Sequence, residues 1–196
     1  MARTVGSSGP KTMQAILDAG IELIYARGYE AMSLRQLAAR VGIQQGSLYN
    51  HIDNKQDILF AIMSAHMEEL LAKLAEALAG LSDPLDLVRA FVRFHVTHHI
   101  ERKKGVFLFY YEHRSLSPEN YERIVAWRRV YERTLVSILE KGAAAGEFAV
   151  ADPQVSAYAM LAMLTGVCTW FDPEGRLDKE EVVRLYTDMA LKSLRP

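Results

Sequence analysis

A single cysteine, Cys168, stands in 196 residues, so the chain can form neither an internal disulfide nor a cysteine-based zinc finger. That usage suits a reducing compartment. No apolar run reaches the roughly 18 residues of a membrane span. The start, MARTVGSSGPK, lacks the apolar core of a secretory signal, and the expectation is a cytoplasmic protein with no membrane partner. Charge is nearly balanced, 23 Lys and Arg against 24 Asp and Glu for a net charge of -1, which excludes a polycation that holds nucleic acid by bulk charge alone. Catalytic signatures are missing as well. There is no Gly-x-Ser-x-Gly elbow, no phosphate-cradling glycine loop, no dinucleotide fingerprint and no His-Glu-x-x-His pair. Ser8-x-x-Lys11 spells a catalytic Ser-Lys spacing, but in a polar, glycine-rich start with no pocket to use it.

Half of the residues are hydrophobic, enough for a real core in one or two domains. The most informative stretch is Met32 to Lys55, MSLRQLAARVGIQQGSLYNHIDNK. Ser33 followed three residues later by Gln36 is a capping box, so a helix starts at Leu34. Leu34, Leu37, Ala38 and Val41 give it one apolar face, and Gly42 ends it. A second short helix resumes at Gln45 with Leu48 and Ile52 inward, leaving Gln45, Gly46, Ser47, Tyr49, Asn50 and His51 outside. Asn54 caps a third helix from Lys55. Two short helices across a tight glycine turn match the helix-turn-helix, whose second helix enters the DNA major groove.

The outer side of that second helix is uncharged apart from His51, where a plain solvated helix would carry Lys and Glu. Amides and hydroxyls exchange hydrogen bonds with base edges, and glutamine pairs bidentately with adenine. Gly46, costing about 1 kcal/mol in a helix interior, makes sense where a partner approaches the backbone. Tyr49, His51 and Lys55 are placed for phosphates, Lys55 helped by the amino end of its own helix. Residues 1–55 carry Arg3, Lys11, Arg27, Arg35, Arg40 and Lys55 against Asp18, Glu22, Glu30 and Asp53, a slight cationic excess. A head so weakly charged needs well-placed cations or a dimeric protein to hold DNA.

At these residues the chain resembles the TetR/AcrR family of dimeric, ligand-responsive transcriptional regulators. The resemblance is carried by Ser33-Leu34-Arg35-Gln36-Leu37-Ala38, Val41-Gly42-Ile43, Gly46-Ser47-Leu48-Tyr49-Asn50-His51 and Lys55. It implies that Ser33 and Arg35 begin a helix that abuts DNA, that Gln45, Gly46, Ser47 and Asn50 enter the groove, and that Tyr49, His51 and Lys55 meet phosphates. Gln44 stands where the family often has a Ser or Thr cap, and Ile52 where Phe is frequent.

The remaining pattern is helical throughout. An apolar stripe of Ile16, Ala19, Gly20, Leu23 and Ile24 precedes a stop at Gly28; a polar arm, Met1 to Pro10, leads into it. A long helix runs from Lys55 to Leu78, and another, with Asp83 as cap and Pro84 at its first position, runs to about Arg102. Arg102-Lys103-Lys104-Gly105 reads as a break, followed by a short aromatic helix, Val106 to His113. Ser117-Pro118 opens a helix to about Ala145. Helix eight, Asp152 to Cys168, carries small residues, and helix nine, Asp178 to Leu194, opens on an Asp178/Glu181 capping box. The expected fold is all-α, with about nine helices: residues 1–54 a three-helix DNA-binding head, 55–196 a ligand-binding and dimerisation domain.

Helix nine shows apolar residues on two sides, Val182, Tyr186 and Met189 against Val183, Ala190 and Leu194, and the second side is expected to meet a second copy. A homodimer through helices eight and nine would place two heads on a palindromic, double-stranded operator, the half-sites about 34 to 36 Å or a multiple apart. Between the fourth and eighth helices the chain is rich in aromatic and methionine residues. Phe91, His95, His98, Phe109, Tyr110, Trp127, Tyr131, Met163 and Trp170 are the candidate lining for a small apolar or amphipathic effector. The ending Gly166-Val167-Cys168-Thr169-Trp170-Phe171-Asp172-Pro173-Glu174-Gly175-Arg176-Leu177 looks like regulators of fatty-acid or steroid breakdown that sense acyl-CoA thioesters. That likeness implies a role for Arg102, Lys103, Lys104 or Arg128 on the phosphates of such a ligand. No cofactor and no metal is called for, although His95 and His99, one turn apart, leave a metal-responsive regulator as an alternative. A helical-bundle enzyme and a protein-binding adaptor complete the set. Specific retardation of DNA from beside its own gene separates the regulator from both.

Overall fold

A computed structural model describes residues 9–195. Among these the chain is helical throughout, with no strand: α1 (Gly9–Arg27), α2 (Leu34–Val41), α3 (Gln45–Leu48), α4 (Lys55–Leu78), α5 (Pro84–Glu101), α6 (Lys103–Glu112), α7 (Pro118–Ala144), α8 (Pro153–Thr165), α9 (Val167–Trp170) and α10 (Lys179–Lys192), with a 3₁₀ turn at His113–Ser115. The all-α expectation holds, and each expected helix is present. The extra helix arises because the eighth breaks at Gly166, leaving α9 as a single turn. The expected break at Arg102 to Gly105 is a single residue, Arg102, since α6 already starts at Lys103. Arg3 of the amino-terminal arm lies outside the described residues, whereas Lys11 is an exposed residue of α1.

The helix boundaries follow local chemistry. Asp83 accepts the N–H of Asp86 at 2.9 Å with Pro84 at the first position of α5, and Asp152 accepts the N–H groups of Gln154 and Val155 ahead of Pro153 in the same way. Asp178 and Glu181 form the reciprocal box that opens α10.

The chain packs as two compact units, neither of them continuous in sequence. The first takes the chain up to His66 together with Lys104–Ile124; the second takes Met67–Lys103 together with the chain from Val125 onward. The boundary expected at residue 54 therefore differs from the one that packing draws: α4 divides at His66, and α6 belongs with the head. In the first unit Ile16 and Ile24 of α1, Leu37 of α2, Leu48, and Ile58 and Leu59 of α4 are buried to within 1%. Gly20 allows α1 and α4 to close together, since a Cβ there would lie 3.0 Å from Ile62 Cδ1. In the second unit α5 is the axis, packed against α8, α9 and α10 and burying Leu87, Val88, Phe91, Val92, His95, Val96, His98 and His99.

The two sides expected on helix nine are covered unequally within the chain: of the first, Val182 and Tyr186 are buried and Met189 is exposed, whereas Val183, Ala190 and Leu194 of the second are all buried. Met189 at 44% exposure lies beside Leu185 at 36%, an exposed apolar margin next to the buried face. Periodicity identified a broad apolar face but could not say which of its residues the same subunit covers.

Candidate functional site

The helix-turn-helix is assembled by short-range bonds. The N–H of Gln36 donates to Ser33 Oγ at 3.2 Å and the N–H of Ser33 donates to Gln36 Oε1 at 3.0 Å. Gly42, at φ 79°, closes α2 in a conformation that strains a residue with a Cβ, and it turns the chain so that the N–H of Ile43 reaches the carbonyl of Ala38 at 3.0 Å. Leu48 and Ile52 point inward, at 0% and 5% exposure, as their spacing predicts.

The second helix is shorter than expected. It is α-helical only over Gln45–Leu48 and continues as tight turns in which the N–H of Asn50 reaches Ser47 O at 3.3 Å and that of His51 reaches Leu48 O at 2.9 Å. Gln44 contributes no side-chain cap and Gly46 lowers helix propensity, so one turn of helix is what this sequence sustains. Gln45, Gly46, Ser47, Tyr49 and Asn50 are exposed and His51 is half-buried, so the uncharged polar side faces away from the packed interior of its unit. A Cβ built on Gly46 meets nothing within 4 Å. Ser33 and Arg35 are exposed at the start of α2.

The start of α4 is locked by its own box, Asp57 Oδ2 accepting the N–H groups of Asp53 at 2.8 Å and Asn54 at 3.0 Å while Asn54 Oδ1 accepts that of Asp57 at 3.2 Å. Lys55 is only half exposed. Its ammonium donates to the Glu30 carbonyl at 3.0 Å and lies 4.2 Å over the ring of Tyr29. Burial first, and the nearby Glu30 carboxylate second, push the Tyr29 phenol upward. Tyr29 escapes prediction from sequence because nothing local marks it as the seat of Lys55.

The candidate effector residues divide between the two units. Phe91, His95 and Tyr131 come together in the second: His95 Nδ1 lies 2.8 Å from Tyr131 Oη, His95 Nε2 lies 3.2 Å from Thr165 Oγ1, and the Phe91 and Tyr131 rings are 5.3 Å apart. Burial first, and the nearby His98 second, hold the His95 imidazole at about 3, so it is neutral. Thr165 is a partner that spacing could not reveal, being 70 positions from His95. His98 lies beside Phe94, at 5.4 Å between rings, on a surface groove of about 480 Å³ also lined by Lys73, Ala77, Arg93, Thr97, Glu101 and Glu180. Burial lowers His98 to about 4. Trp127 and Met163 are half-buried in the second unit. Trp170 is exposed and its indole N–H donates to Tyr186 Oη at 3.1 Å. Phe109 and Tyr110 belong to the first unit, the former buried and the latter exposed.

The geometry of His95 and His99 disfavours a metal. Their rings stack 3.7 Å apart and nearly parallel, His99 Nδ1 is bonded to the His95 carbonyl at 2.8 Å, and both nitrogens of His95 face hydroxyls. Ligating nitrogens must converge on one point, and these do not. No group of three or more His, Cys, Asp or Glu able to hold a metal ion occurs among the described residues. Three of the four cations considered for ligand phosphates already hold carboxylates: Arg102 pairs with Glu69, Lys104 with Glu22 at 2.6 Å and Arg128 with Glu132 at 3.1 Å. Lys103 is exposed.

Comparison with known proteins agrees with this architecture. Residues 16–62 match the model of bacterial regulatory proteins of the tetR family, and residues 81–194 match that of the tetracyclin repressor-like C-terminal domain. The chain is 25% identical over 193 residues to the HTH-type transcriptional repressor KstR2 of Rhodococcus jostii (strain RHA1), covering 97% of this chain and 94% of the relative. A bacterial regulatory protein in the tetR family from Rhodococcus RHA1 superposes with a TM-score of 0.88 at 30% identity, over 96% of this chain and 98% of that one. AibR in complex with isovaleryl coenzyme A and operator DNA superposes with a TM-score of 0.84 at 30% identity, over 91% and 97%. With a helix-turn-helix in its head and matched models over most of its length, the chain belongs to the TetR family of bacterial transcriptional regulators.

Proposed function

We propose that the protein is a homodimeric repressor that holds a palindromic operator in its empty state and releases it on binding an amphipathic acyl thioester. The observation that carries the DNA half is the exposed, uncharged face formed by Gln45, Gly46, Ser47 and Asn50 on a rigidly capped helix-turn-helix. Arg35 reads a base from the start of α2, while Tyr49, His51 and Lys55 take phosphates. Lys55, already bonded to Glu30, acts with the remaining N–H groups of its ammonium.

Dimerisation supplies a second head and doubles the phosphate contacts of a weakly charged one. The exposed apolar side chains Val155 and Tyr158 of α8, at 63% and 46%, and Leu185 and Met189 of α10, at 36% and 44%, support a two-fold contact through these helices. The ligand half rests on the neutral His95, Tyr131 and Thr165 group set against Phe91, a few polar atoms in apolar surroundings. That AibR was crystallised with isovaleryl coenzyme A and operator DNA favours the thioester class. The ligand shifts the operator-bound population only by its difference in affinity for the two states.

The test is selection of duplexes from random DNA, followed by binding at fixed salt with and without isovaleryl-CoA and longer acyl-CoAs. A palindromic consensus, released by one of these, is expected. Arg35→Ala should narrow the gap between operator and scrambled DNA by about 1 to 3 kcal/mol. An unchanged ratio defeats its base-reading role, and tight acyl-CoA binding without any change in operator affinity defeats the switch.

A further inference from the structure

The two longest helices, α4 and α7, begin at one shared side chain. Gln56, the second residue of α4, donates from Nε2 to the carbonyl of Ser115 at 2.6 Å and accepts the N–H of Ser117 at Oε1, 2.9 Å away. Its carboxamide therefore pairs with the backbone on both sides of Leu116, much as a neighbouring extended chain would. Leu116 between them is buried and extended, at φ -70° and ψ 150°. Ser117 is in turn the cap of α7, accepting the N–H of Asn120 at Oγ and that of Tyr121 at its carbonyl, 2.8 Å away.

Two further ties bind the same segment to the head. Glu112 Oε1 accepts the N–H of Tyr29 at 3.1 Å, and the Arg123 guanidinium lies 4.3 Å over the ring of Phe60. Gln56 differs from these in position. It follows the Asn54 and Asp57 box and Lys55 directly, and lies four residues beyond Ile52, whose burial sets how the α3 turn is held. Both helices that start here pass from the residues of the first unit into those of the second, α4 beyond His66 and α7 beyond Ile124.

We infer that Gln56 is a positioning residue of the repressor, joining the start of α7 to the DNA-binding head so that operator occupancy and the state of the Ser115–Ser117 turn are energetically coupled. Hydrogen bonds of 2.6 and 2.9 Å leave the useful range by about 3.5 Å, so a displacement of roughly 1 Å breaks both together. Coupling of this kind is reciprocal: whatever the turn does to DNA affinity, DNA must do to the turn. Operator DNA can therefore probe the joint without knowledge of the effector. The inference rests on the DNA-binding reading of the α3 face.

The experiment is amide hydrogen exchange at Leu116 and Ser117, with and without an operator duplex selected from random DNA, in wild type and in Gln56→Met and Gln56→Glu. Methionine keeps the volume and removes both bonds; glutamate keeps the acceptor for Ser117 and loses the donor to Ser115. Exchange of the Ser117 amide in the DNA-free protein should quicken at least tenfold in Gln56→Met and less in Gln56→Glu. Operator should slow it at least threefold in wild type and not in Gln56→Met. Unchanged exchange in DNA-free Gln56→Met overturns the inference whatever the head binds. So does a wild type that binds the duplex with no effect on the turn, or a Gln56→Met protein that keeps the full wild-type effect of DNA. A merely structural role would lower thermal stability in both variants while leaving the operator effect on Ser117 intact.

Discussion

Replacing Gly46 by alanine separates the folding of the head from its use. Gly46 is exposed in the first turn of α3, is not among the glycines with positive φ, and has nothing within 4 Å of an added Cβ. Nothing within the fold therefore requires a glycine there. Alanine restricts the unfolded chain and favours helix, a gain of about 0.4 to 1 kcal/mol. For a chain of this size that raises the melting temperature by at most roughly 4 °C. If the groove of the operator comes into van der Waals contact with this backbone, the added methyl must displace it. A penalty of about 1.4 kcal/mol per head is tenfold in affinity, and two heads per dimer make it about a hundredfold. The assay is a melting curve beside an operator titration by fluorescence anisotropy at one salt concentration, since salt changes alone shift affinity by orders of magnitude. A variant that melts higher yet binds operator within twofold of wild type would refute the placement of α3 in the groove.

Two other outcomes follow from the second unit. His95 and His98 are held by burial at about 3 and about 4, below the ordinary 6.5, so the folded chain binds fewer protons than the unfolded one once the pH drops below that value. Their stabilisation is complete above pH 6.5 and drains away as pH falls toward their folded values, by up to about 1.4 kcal/mol per pH unit for each. Urea midpoints measured between pH 7.5 and 5 should fall accordingly, with a shallower fall in His95→Gln; a flat wild-type profile contradicts the burial of neutral imidazoles. Gly142→Ala would set its Cβ 2.0 Å from Cδ2 of the buried Phe148, whose own N–H is bonded to the Gly142 carbonyl. Overpacking of this kind costs about 1 to 3 kcal/mol, read as a lower melting temperature with an unaltered preference among operators. A melting temperature equal to wild type would show that Phe148 has room to move.

What could be read in advance was local. Capping boxes at Ser33/Gln36 and Asp178/Glu181, proline after aspartate at Pro84 and Pro153, and a stop at Gly42 each act within a few residues, so the sequence alone determined where these helices begin or end. The inward pair Leu48 and Ile52 and the polar outer side of Gln45 to Asn50 were legible for the same reason. Which of the candidate effector residues meet was not, because aromatic content has no address: Phe91 and Tyr131 meet at His95, while Phe109 packs in the other unit. Tertiary structure alone decided that α6 belongs with the head, that Val182 and Val183 of α10 are both covered from within one chain while Met189 stays exposed, and that Lys55 rests on Tyr29. It also brought the carboxamide of Gln56 to a turn some sixty positions away, at separations of 59 and 61. Caps and stops are enforced by the covalent neighbourhood, whereas these pairings are set by which faces find each other when the apolar surface is buried, and no local pattern encodes that choice.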